Sequence, residues 1–581
     1  MNTLEYVNQY KDGDVQPSIG VTYKLRTIIE ENQRMFAGQP KNKTDEIGRP
    51  IHYINMPWIM YRTLFQGSDV DTKDINLRAV EDDMIPLTPL VRAALRTKLQ
   101  YDNFGEFIDR VRSELIAHGH VIVKMCQDGK KVVPRIVNLI NVVRLPSEQD
   151  LQKSGIIEKV VYTHAKLRDM KMDKEVRETV DKIMEKEENV GRYTSIVYED
   201  WRERKIKGDY HKSCTISIST EQLEERVYRE IGCEQLVQID EFITPWKEET
   251  EEGMEEVFPY YEQRFFSKEG RWLGIGVFEL LADLQKIYNT KWNAQLRLDM
   301  LASKGIYVHK FDPSGETIEQ KYLQNIQYGG VLPIKNTESM EQLRINTMIN
   351  EMLASTDKIF ELARQMCGVS DLATGQVMPS GTTATTAQIN AASQQTTYDY
   401  LIELIHHLLN KMFNGIYGDA VIKGMLNKRS LIIEDGDELE AVDFYLVDKA
   451  VEADAQKAMN GGIFVTEADK ATLKEQKLKE VRKKGKQRFV TFTKDLLSKK
   501  KMLFDWFVNN ETFDKQARIT NINQVVSSPL YTGDRNALYN ELLDIIGVPV
   551  SKLDEKKNMV AAMQPPQAQQ MPQMSGIQPV M

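Results

Sequence analysis

Two long segments with helical spacing of apolar residues most constrain how this chain can fold. In 275–304, apolar side chains recur every three or four positions from Val277 to Trp292, which predicts one helix of about 43 Å at 1.5 Å per residue. Residues 339–367 repeat the pattern and predict a second long helix. Because both helices are amphipathic and bracket a small insert, we expect them to need lateral partners to bury their second faces.

The insert between them, 305–338, is predicted to be a small α/β unit. It reads as a strand (IYVHKF), a turn (DPSG), a short helix (ETIEQKYLQNIQ) and a strand (GGVLPI). Thirty-odd residues can hold little core alone, so neighbouring chains would have to complete it.

The rest of the chain is predicted to alternate between mixed and helical regions. Residues 1–274 look mixed α/β, with a helix at FGEFIDRVRSELIAHG, a hairpin at Asp128-Gly129 and a charged helix over 166–190. A long helix and two strands about Asp435-Gly436 are expected in 387–448. Residues 449–560 are expected to be helical, and the Gln/Pro/Met-rich tail 561–581 to be disordered. The fold class is therefore α+β.

A run of 27 residues, Leu372 to Tyr398, contains no Asp, Glu, Lys or Arg. Charged residues are 28% of the chain, so roughly seven or eight would be expected there from composition. Gly375, Pro379 and Gly381 predict a loop at its start. A plain flexible linker ahead of a Thr-rich helix is the simple interpretation.

A basic stretch follows near the C-terminus: 474–501 holds twelve Lys and Arg against three acidic residues. Two interpretations stay open. The segment contacts nucleic acid, or it is a solvated helical face that balances acidic neighbours.

Composition and motif searches exclude several classes of protein. A net charge of −9 argues against a general nucleic-acid coat, and the four cysteines are scattered, as in reduced proteins. No phosphate-binding loop or nucleophile elbow is present, and GRWLGIG lacks the third glycine of a dinucleotide fingerprint. The pairs His118/His120 and His406/His407 lack further ligands at metal spacing. We therefore expect no enzyme activity, cofactor, metal or membrane span.

Residues 260–293, YYEQRFFSKEGRWLGIGVFELLADLQKIYNTKWN, resemble the portal proteins of tailed bacteriophages, which are head–tail connectors. The resemblance lies in an aromatic/Arg strand, then GRW-x-G-x-G, then a helix with Leu-Gln and Asn at spaced positions. GHVIVKM and KVVPRIVNLINVVRLPSEQD also resemble the wing hairpin and the strand after it. The order of elements over about 20–560 is similar to the family's order.

The resemblance implies a portal-type fold. Its parts would be a wing (1–274), stem helix 1 (275–304), a clip (305–338), stem helix 2 (339–367), a tunnel loop (368–386), a wing helix with returning strands (387–448) and a helical crown (449–560). It also implies a ring, usually of twelve subunits, with double-stranded DNA along the axis. The implied partners are a terminase large subunit, a head–tail adaptor, and major capsid and scaffolding proteins. The protein would be made in the host cytoplasm and reside in the virion, at the capsid portal vertex.

Candidate site residues follow from these parts. In the tunnel loop they are Thr374, Gln376, Met378, Ser380, Thr382 and Thr383. In the clip, the docking residues are Lys310, Asp312, Glu316, Glu319 and Lys321. In the crown, the basic residues that would face DNA are Lys483, Lys484, Lys486, Arg488, Lys499, Lys500 and Lys501.

Neutral polar side chains would suit a DNA channel for a physical reason. A ring multiplies each side chain by the number of subunits, so one Lys per loop would become a ring of cations that could brake the duplex. Short hydroxyl and amide groups allow weak, water-mediated contacts instead. Two alternative functions remain: a nucleic-acid-processing enzyme such as a nuclease, and a cytosolic multi-domain scaffold without a channel.

Overall fold

The structure is a computed structural model of the 581-residue chain. It describes residues 2–18, 20–44, 50–70, 75–79, 88–129, 131–186, 193–223, 231, 235–250, 253–304, 306–309, 340–343, 349–369, 384–425, 429–433, 437–460, 466–483, 487–491 and 502–506.

The described residues form a mixture of helix and sheet, which confirms the α+β class. The helices are α1 (Thr3–Tyr10), α2 (Leu25–Phe36), α3 (Met56–Gly67), α4 (Thr88–Tyr101), α5 (Phe104–His118), α6 (Leu151–Ser154), α7 (His164–Asp169), α8 (Lys174–Glu185), α9 (Val277–Lys304), α10 (Ile349–Cys367), α11 (Ala384–Asn414), α12 (Ile416–Met425), α13 (Asp437–Asn460) and α14 (Glu467–Lys483).

The strands lie mostly in the N-terminal half. They are β1 (Asp14–Ser18), β2 (Val21–Lys24), β3 (Ile75–Ala79), β4 (His120–Asp128), β5 (Lys131–Ile136), β6 (Val142–Val143), β7 (Ile156–Thr163), β8 (Thr194–Ile206), β9 (Asp209–Ser219), β10 (Leu236–Ile243), β11 (Lys247–Thr250), β12 (Gly253–Glu256), β13 (Tyr260–Arg264), β14 (Ile306–His309), β15 (Met340–Leu343), β16 (Arg429–Ile433), β17 (Gln487–Thr491) and β18 (Met502–Trp506).

The chain divides into two compact units. The first comprises Met1–Asn76, Arg96–Leu426 and Leu497–Phe507, and the second comprises Leu77–Leu95, Asn427–Leu496 and Val508–Met581. In the second unit, β16 pairs antiparallel with β17, and α13 packs on α14.

Two antiparallel sheets form the core of the first unit. One has five strands in the order β10-β9-β8-β7-β6, and the other has three in the order β13-β4-β5. Ile122, Ile156, Val197, Trp201 and Tyr260 from both sheets belong to one buried apolar cluster. The two sheets therefore share a core, as layered architectures require.

A buried charge cluster crosses this core. Lys124 of β4 donates hydrogen bonds to Glu158 Oε2, at 2.7 Å, and to Glu199. Tyr162 and Trp201 also donate to Glu199, at 2.7 and 3.0 Å. Burial alone would raise the pKa of Glu199, but the charge and hydrogen bonds around it lower that pKa to about 2. The carboxylate is therefore held ionised inside the core.

Several sequence predictions are confirmed. The helix at 104–118, the hairpin around Asp128-Gly129 and the strand that starts at Ile306 are present. The long helix expected at 275–304 is α9, over Val277–Lys304.

The predicted helix 166–190 is wrong in its extent, because the chain forms two helices, α7 and α8, over that region. Arg177 of α8 donates to the backbone oxygens of Arg168 and Met170, at 3.1 and 2.7 Å. These bonds satisfy carbonyls at the end of α7, which stabilises the break.

Three further predictions need correction. The second long helix begins at Ile349 rather than Ser339, because Met340–Leu343 pairs as a strand with Ile306–His309. The second strand expected after Asp435-Gly436 is helix α13, whose buried Val447, Val451 and Ala455 recur every four residues. The region expected to be entirely helical beyond residue 449 contains strands β17 and β18.

Candidate functional site

Helices α9 and α10 form an antiparallel pair, which we call the helical hairpin. Lys291 of α9 donates a hydrogen bond to Ser355 Oγ of α10. Burial raises the pKa of Tyr288, and the charge of nearby Asp357 raises it further, so these two residues also face each other. At the far end of the pair, β14 and β15 form an antiparallel ladder from Ile306↔Leu343 to His309↔Met340. The residues just before and just after 310–339 are therefore held side by side by this ladder.

The hairpin carries large apolar side chains that are exposed in the single chain. Ile287 of α9 is 46% exposed, and Leu353, Leu362 and Met366 of α10 are 40–49% exposed. Leu362 and Met366 lie four residues apart and so share one face of α10. The buried Ile359 and Ala363 lie beside this face, since Met366 comes seven residues, or about two helical turns, after Ile359. The helix pair thus exposes apolar surface on both of its helices.

The segment GRWLGIG joins the sheets to the hairpin by packing backbone on backbone; we call this joint the elbow. Gly119, at a φ of 73°, ends α5. A Cβ at Gly274 would clash with the Gly119 carbonyl oxygen, and one at Gly276 would clash with the Ala117 carbonyl and the Gly119 amide. The glycines are therefore required by close approach of two backbones, which explains their spacing without a bound nucleotide.

Arg271 fixes the direction in which α9 leaves the elbow. Its side chain is fully buried and donates to the carbonyls of Leu273 (2.8 Å) and Gly274 (3.0 Å). It also makes a two-pronged ion pair with Glu279 in the first turn of α9, with both distances 2.8 Å. Such paired contacts hold a guanidinium in one orientation, so the elbow and the helix start are fixed together.

A row of amide side chains on α9 binds the backbone of 52–56; we call it the amide ladder. Asn293 bonds both backbone groups of His52, Asn289 accepts from Ile54 N–H at 3.1 Å, and Gln285 accepts from Met56 N–H at 3.0 Å. The contacts fall on alternate residues of the bound segment, which is the period of an extended chain. Sequence reasoning noted these residues only as part of the resemblance. Amides at positions i, i+4 and i+8 of a helix are the signal that could have identified a ladder.

The uncharged stretch is partly helical. Its residues from Ala384 onward belong to α11, and its preceding residues 372–383 lie outside the described residues. Gly368, at a φ of 66°, follows α10 and packs against Thr397 of α11, where a Cβ would clash with the hydroxyl. Since α11 starts thirteen residues before Thr397, it extends about 20 Å beyond this contact.

Most of the predicted site residues lie outside the described residues. This applies to all of the tunnel-loop candidates, to all of the clip candidates, and to Lys484, Lys486, Lys499, Lys500 and Lys501. Two crown candidates are placed: Lys483 ends α14 and Arg488 lies in β17. The structure therefore brings no group of predicted site residues together.

Part of the basic stretch is engaged in ion pairs. Lys474 of α14 lies 2.5 Å from Asp448 of α13, and Lys477 pairs with Asp454 and donates to the Ala450 carbonyl at 3.1 Å. The hydrogen bond from Lys477 lowers the pKa of Asp454. The contacts of these two lysines agree with the second interpretation, in which the basic stretch balances acidic neighbours.

Three of the four paired histidines, His118, His120 and His406, are buried, and His407 is exposed. His118 and His120 are buried, and burial lowers the pKa of each to about 4. His120 Nε2 lies 3.2 Å from Glu262 Oε2, and Arg144 donates to the same oxygen at 2.7 Å. Burial also lowers the pKa of His406 to about 4. These imidazoles are therefore neutral at physiological pH.

Within the part of the chain that the structure describes, no three His, Cys, Asp or Glu side chains are grouped as metal ligands would be. None of the helices described is both long and apolar enough to span a bilayer. No protein-family model matches this sequence, and comparison with curated proteins gives no significant match.

Proposed function

We propose that this chain is a portal protein: one subunit of a ring at a single capsid vertex, through which double-stranded DNA passes during packaging and ejection. In this proposal the ring also seats the terminase during packaging and the head–tail adaptor afterwards. The chain itself performs no catalysis, and ATP hydrolysis belongs to the terminase.

The observation that carries the proposal is the helical hairpin with exposed apolar residues on both helices. Leu362 and Met366 form a pair on one face of α10, and Ile287 is half exposed on α9. Burying a side chain of this size contributes about 1.5–3 kcal/mol, so a neighbouring copy that covers them would gain substantially. Two different faces that meet head to tail close into a ring when the rotation permits.

The elbow and the amide ladder are built by residues of the segment that resembles portal proteins. Arg271, Gly274 and Gly276 of the similar motif take part in the elbow, and the Gln and Asn residues of α9 hold the segment 52–56 before α3 against the hairpin. This arrangement supports a molecule in which a long helix pair is held at a fixed angle to a wing. It does not favour the nuclease alternative, which requires a carboxylate cluster for Mg²⁺.

In this proposal the uncharged stretch lines the path of the DNA. We place Thr374, Gln376, Met378, Ser380, Thr382 and Thr383 at the channel surface, where a neutral lining avoids a fixed charge ring facing DNA. The clip, 305–338, is the proposed docking surface for terminase and adaptor. The joined strands β14 and β15 at its two ends are consistent with a compact unit at the tip of the hairpin.

The experiment that tests the proposal is direct. The purified full-length chain should form particles of about a dozen subunits by mass photometry, with a central hole in negative-stain images. A stable monomer at micromolar concentration and physiological salt would contradict it. A ringless oligomer would favour the scaffold alternative, and divalent-dependent DNA cleavage would favour the nuclease alternative.

A further inference from the structure

Helix α10 carries apolar side chains over a wider arc than its own chain covers. Successive residues of an α-helix are about 100° apart around its axis. The buried residues of α10 recur along one stripe: Thr356, Ile359, Ala363 and Cys367. Leu362 and Met366 lie about 80° to one side of this stripe, and Leu353 lies about 80° to the other side. All three are exposed in the single chain.

Helix α9 extends the first of these two sides. Lys291 of α9 donates a hydrogen bond to Ser355, which lies on the same side of α10 as Leu362. Ile287, also exposed, precedes Lys291 by one turn of α9. Because the two helices are antiparallel, that step leads from Ser355 towards Leu362. We call Ile287, Leu362 and Met366 the broad flank, and Leu353 the narrow flank.

A single partner cannot cover both flanks. On one side they are separated by the chain itself, since α9 and α3 pack against α10. On the other side they are separated by the exposed polar residues Lys358, Glu361 and Gln365. A helix packs on its own protein through an apolar stripe of about 100°, whereas the apolar arc of α10 spans about 180°. The excess therefore indicates a protein contact on each side of α10.

Two further copies of the same chain fit this pattern. Each copy offers one broad and one narrow flank, which are different surfaces on opposite sides of α10. Such surfaces meet head to tail, and repetition of that contact closes into a ring when the rotation permits. A two-fold contact of broad flank with broad flank would instead leave Leu353 exposed to water.

The two flanks lie at different heights along α10. Leu353 precedes the midpoint of Leu362 and Met366 by eleven residues, or ~16 Å of helix. Packed helices lie about 8–10 Å apart. If Leu353 of one copy meets the broad flank of the next, the two helices are therefore displaced along each other by more than their separation. Copies related by rotation about a ring axis achieve this when α10 is inclined by ~60° to that axis.

We propose that the broad flank of each chain receives Leu353 of the next copy, so that α10 meets a neighbouring subunit on each of its two sides. This inference rests on the proposed ring and names the surfaces through which its subunits join.

Photo-cross-linking of the assembled full-length protein tests the contact. A benzophenone amino acid replaces Leu353, and a denaturing gel separates cross-links between copies, at twice the chain mass, from those within a chain. Trypsin puts the two flanks on different peptides, because it cuts after Lys286, Lys291, Lys358 and Arg364. We expect the partner peptide in the dimer band to carry Ile287, Leu362 or Met366. The same amino acid in place of the exposed Gln365 is the control and should give no such dimer.

An exchange of charges gives an independent measure by mass photometry. Leu353→Glu or Leu362→Lys alone should raise the concentration for half-assembly at least about tenfold, since each places an unpaired charge in the contact. Within one chain the two positions lie on opposite sides of α10 and cannot pair. The double variant should assemble at least about tenfold better than either single variant, because the new carboxylate of one copy meets the new ammonium of the next.

Leu353→Glu combined with Gln365→Lys is the matched control, and it should not recover assembly. Melting temperatures should confirm that every variant is folded. Rings that show neither the cross-link nor the recovery would refute this contact and leave the ring itself standing. Cross-links from position 353 to peptide 345–358 of another copy would indicate a two-fold contact and would also refute it. A wild-type chain that stays monomeric would refute the ring and this inference together.

Discussion

Asn293 satisfies both backbone hydrogen-bonding groups of His52, which lies 241 residues earlier in the chain. Its Nδ2 donates to the His52 carbonyl at 2.8 Å, and its Oδ1 accepts from the His52 amide at 2.9 Å. The Asn293 side chain thus pairs with the His52 backbone as a residue of a neighbouring strand would. This pairing holds the segment before α3 against α9. The contact can be tested residue by residue.

Asn293→Leu should release the segment around His52. The His52 amide would lose a hydrogen bond that contributes about 0.5–1.5 kcal/mol, so it should exchange with solvent about two- to tenfold faster. Hydrogen exchange followed by mass spectrometry measures this. Thr290→Ala, on an exposed position of the same helix, is the control and should leave exchange unchanged. Unchanged protection at His52 in Asn293→Leu would refute the ladder.

Glu279→Gln should destabilise the elbow. It leaves the buried guanidinium of Arg271 without its charge partner, and breaking a buried pair in this way costs about 3–5 kcal/mol. Scanning calorimetry should show a clear fall in melting temperature. Lys286→Ala removes an exposed pair with Asp283 and should stay within about 0.5 kcal/mol of wild type. Similar melting temperatures for both variants would contradict a structural role for Arg271.

Lys124→Met should reverse the pH dependence of stability in the acidic range. In the wild type the pKa of Glu199 is lowered to about 2, so its stabilising contribution is complete above its ordinary pKa and is lost as pH falls from about 4.5 towards 2. Without Lys124, the buried Glu199 loses its cationic partner, and burial then raises its pKa above the ordinary value. The cost of ionising Glu199 then grows as pH rises from 4.5, so the variant should become more stable as pH falls from 7 to 5.

Melting temperatures across pH 3–8 would measure that reversal. Lys153→Met is the control, because Lys153 is exposed and its nearest carboxylate, on Asp150, lies at 3.9 Å. If Lys124→Met followed the wild-type curve at all pH values, the buried cluster would not set the acid sensitivity.

Leu362→Lys together with Met366→Lys should prevent ring formation while leaving the chain folded. Both side chains are about half exposed, so the subunit loses little, whereas a covered interface would bury two unpaired cations. Mass photometry should show dissociated chains with an unchanged melting temperature. Glu361→Gln changes an exposed polar neighbour and should assemble normally. Normal rings from the double Lys variant would exclude this face from the subunit contact.

Thr382→Lys with Thr383→Lys should slow DNA translocation, since the ring gains two cations per subunit. The defect should ease with added salt, which screens contacts to phosphate. Assembly should be intact, because substitutions at exposed loop positions, where the proposal puts both residues, change stability by less than about 0.5 kcal/mol. The matching double Ser variant should package at the wild-type rate. Wild-type packaging by the Lys variant at low salt would favour a plain linker.

The parts that the sequence predicts well are those encoded by local pattern. Helix α9 was predicted because its apolar spacing is continuous, and the β4–β5 hairpin because Asp128-Gly129 lies between alternating strands. The start of α10 was missed because Met340–Leu343 pairs with a strand over thirty residues earlier. The spacing of apolar residues within 339–367 contains no information about a strand at 306–309. Pairing with that strand therefore decides the structure of 340–343, against the local helical pattern.

The site was less predictable than the fold for the same reason. Lys124 finds its two carboxylates 34 and 75 residues away, and nothing in the local sequence distinguishes them from other Glu residues. The three glycines of the elbow were visible in the sequence, but not the backbone that each approaches.

The elbow has a mechanical consequence. At Gly119, Gly274 and Gly276 no side chain separates the two backbones, so no rotamer change can absorb motion there. Helix α9 acts as a lever of about 42 Å from this fulcrum, and a tilt of ~1° at its base would displace the far end by ~0.7 Å. If the tip of the hairpin is to be positioned to within a hydrogen-bond length of about 3 Å, the angle at the elbow must therefore vary by no more than a few degrees. An alanine at one of these three glycines would change the direction of α9 and displace the tip of the hairpin, even in a chain that still folds.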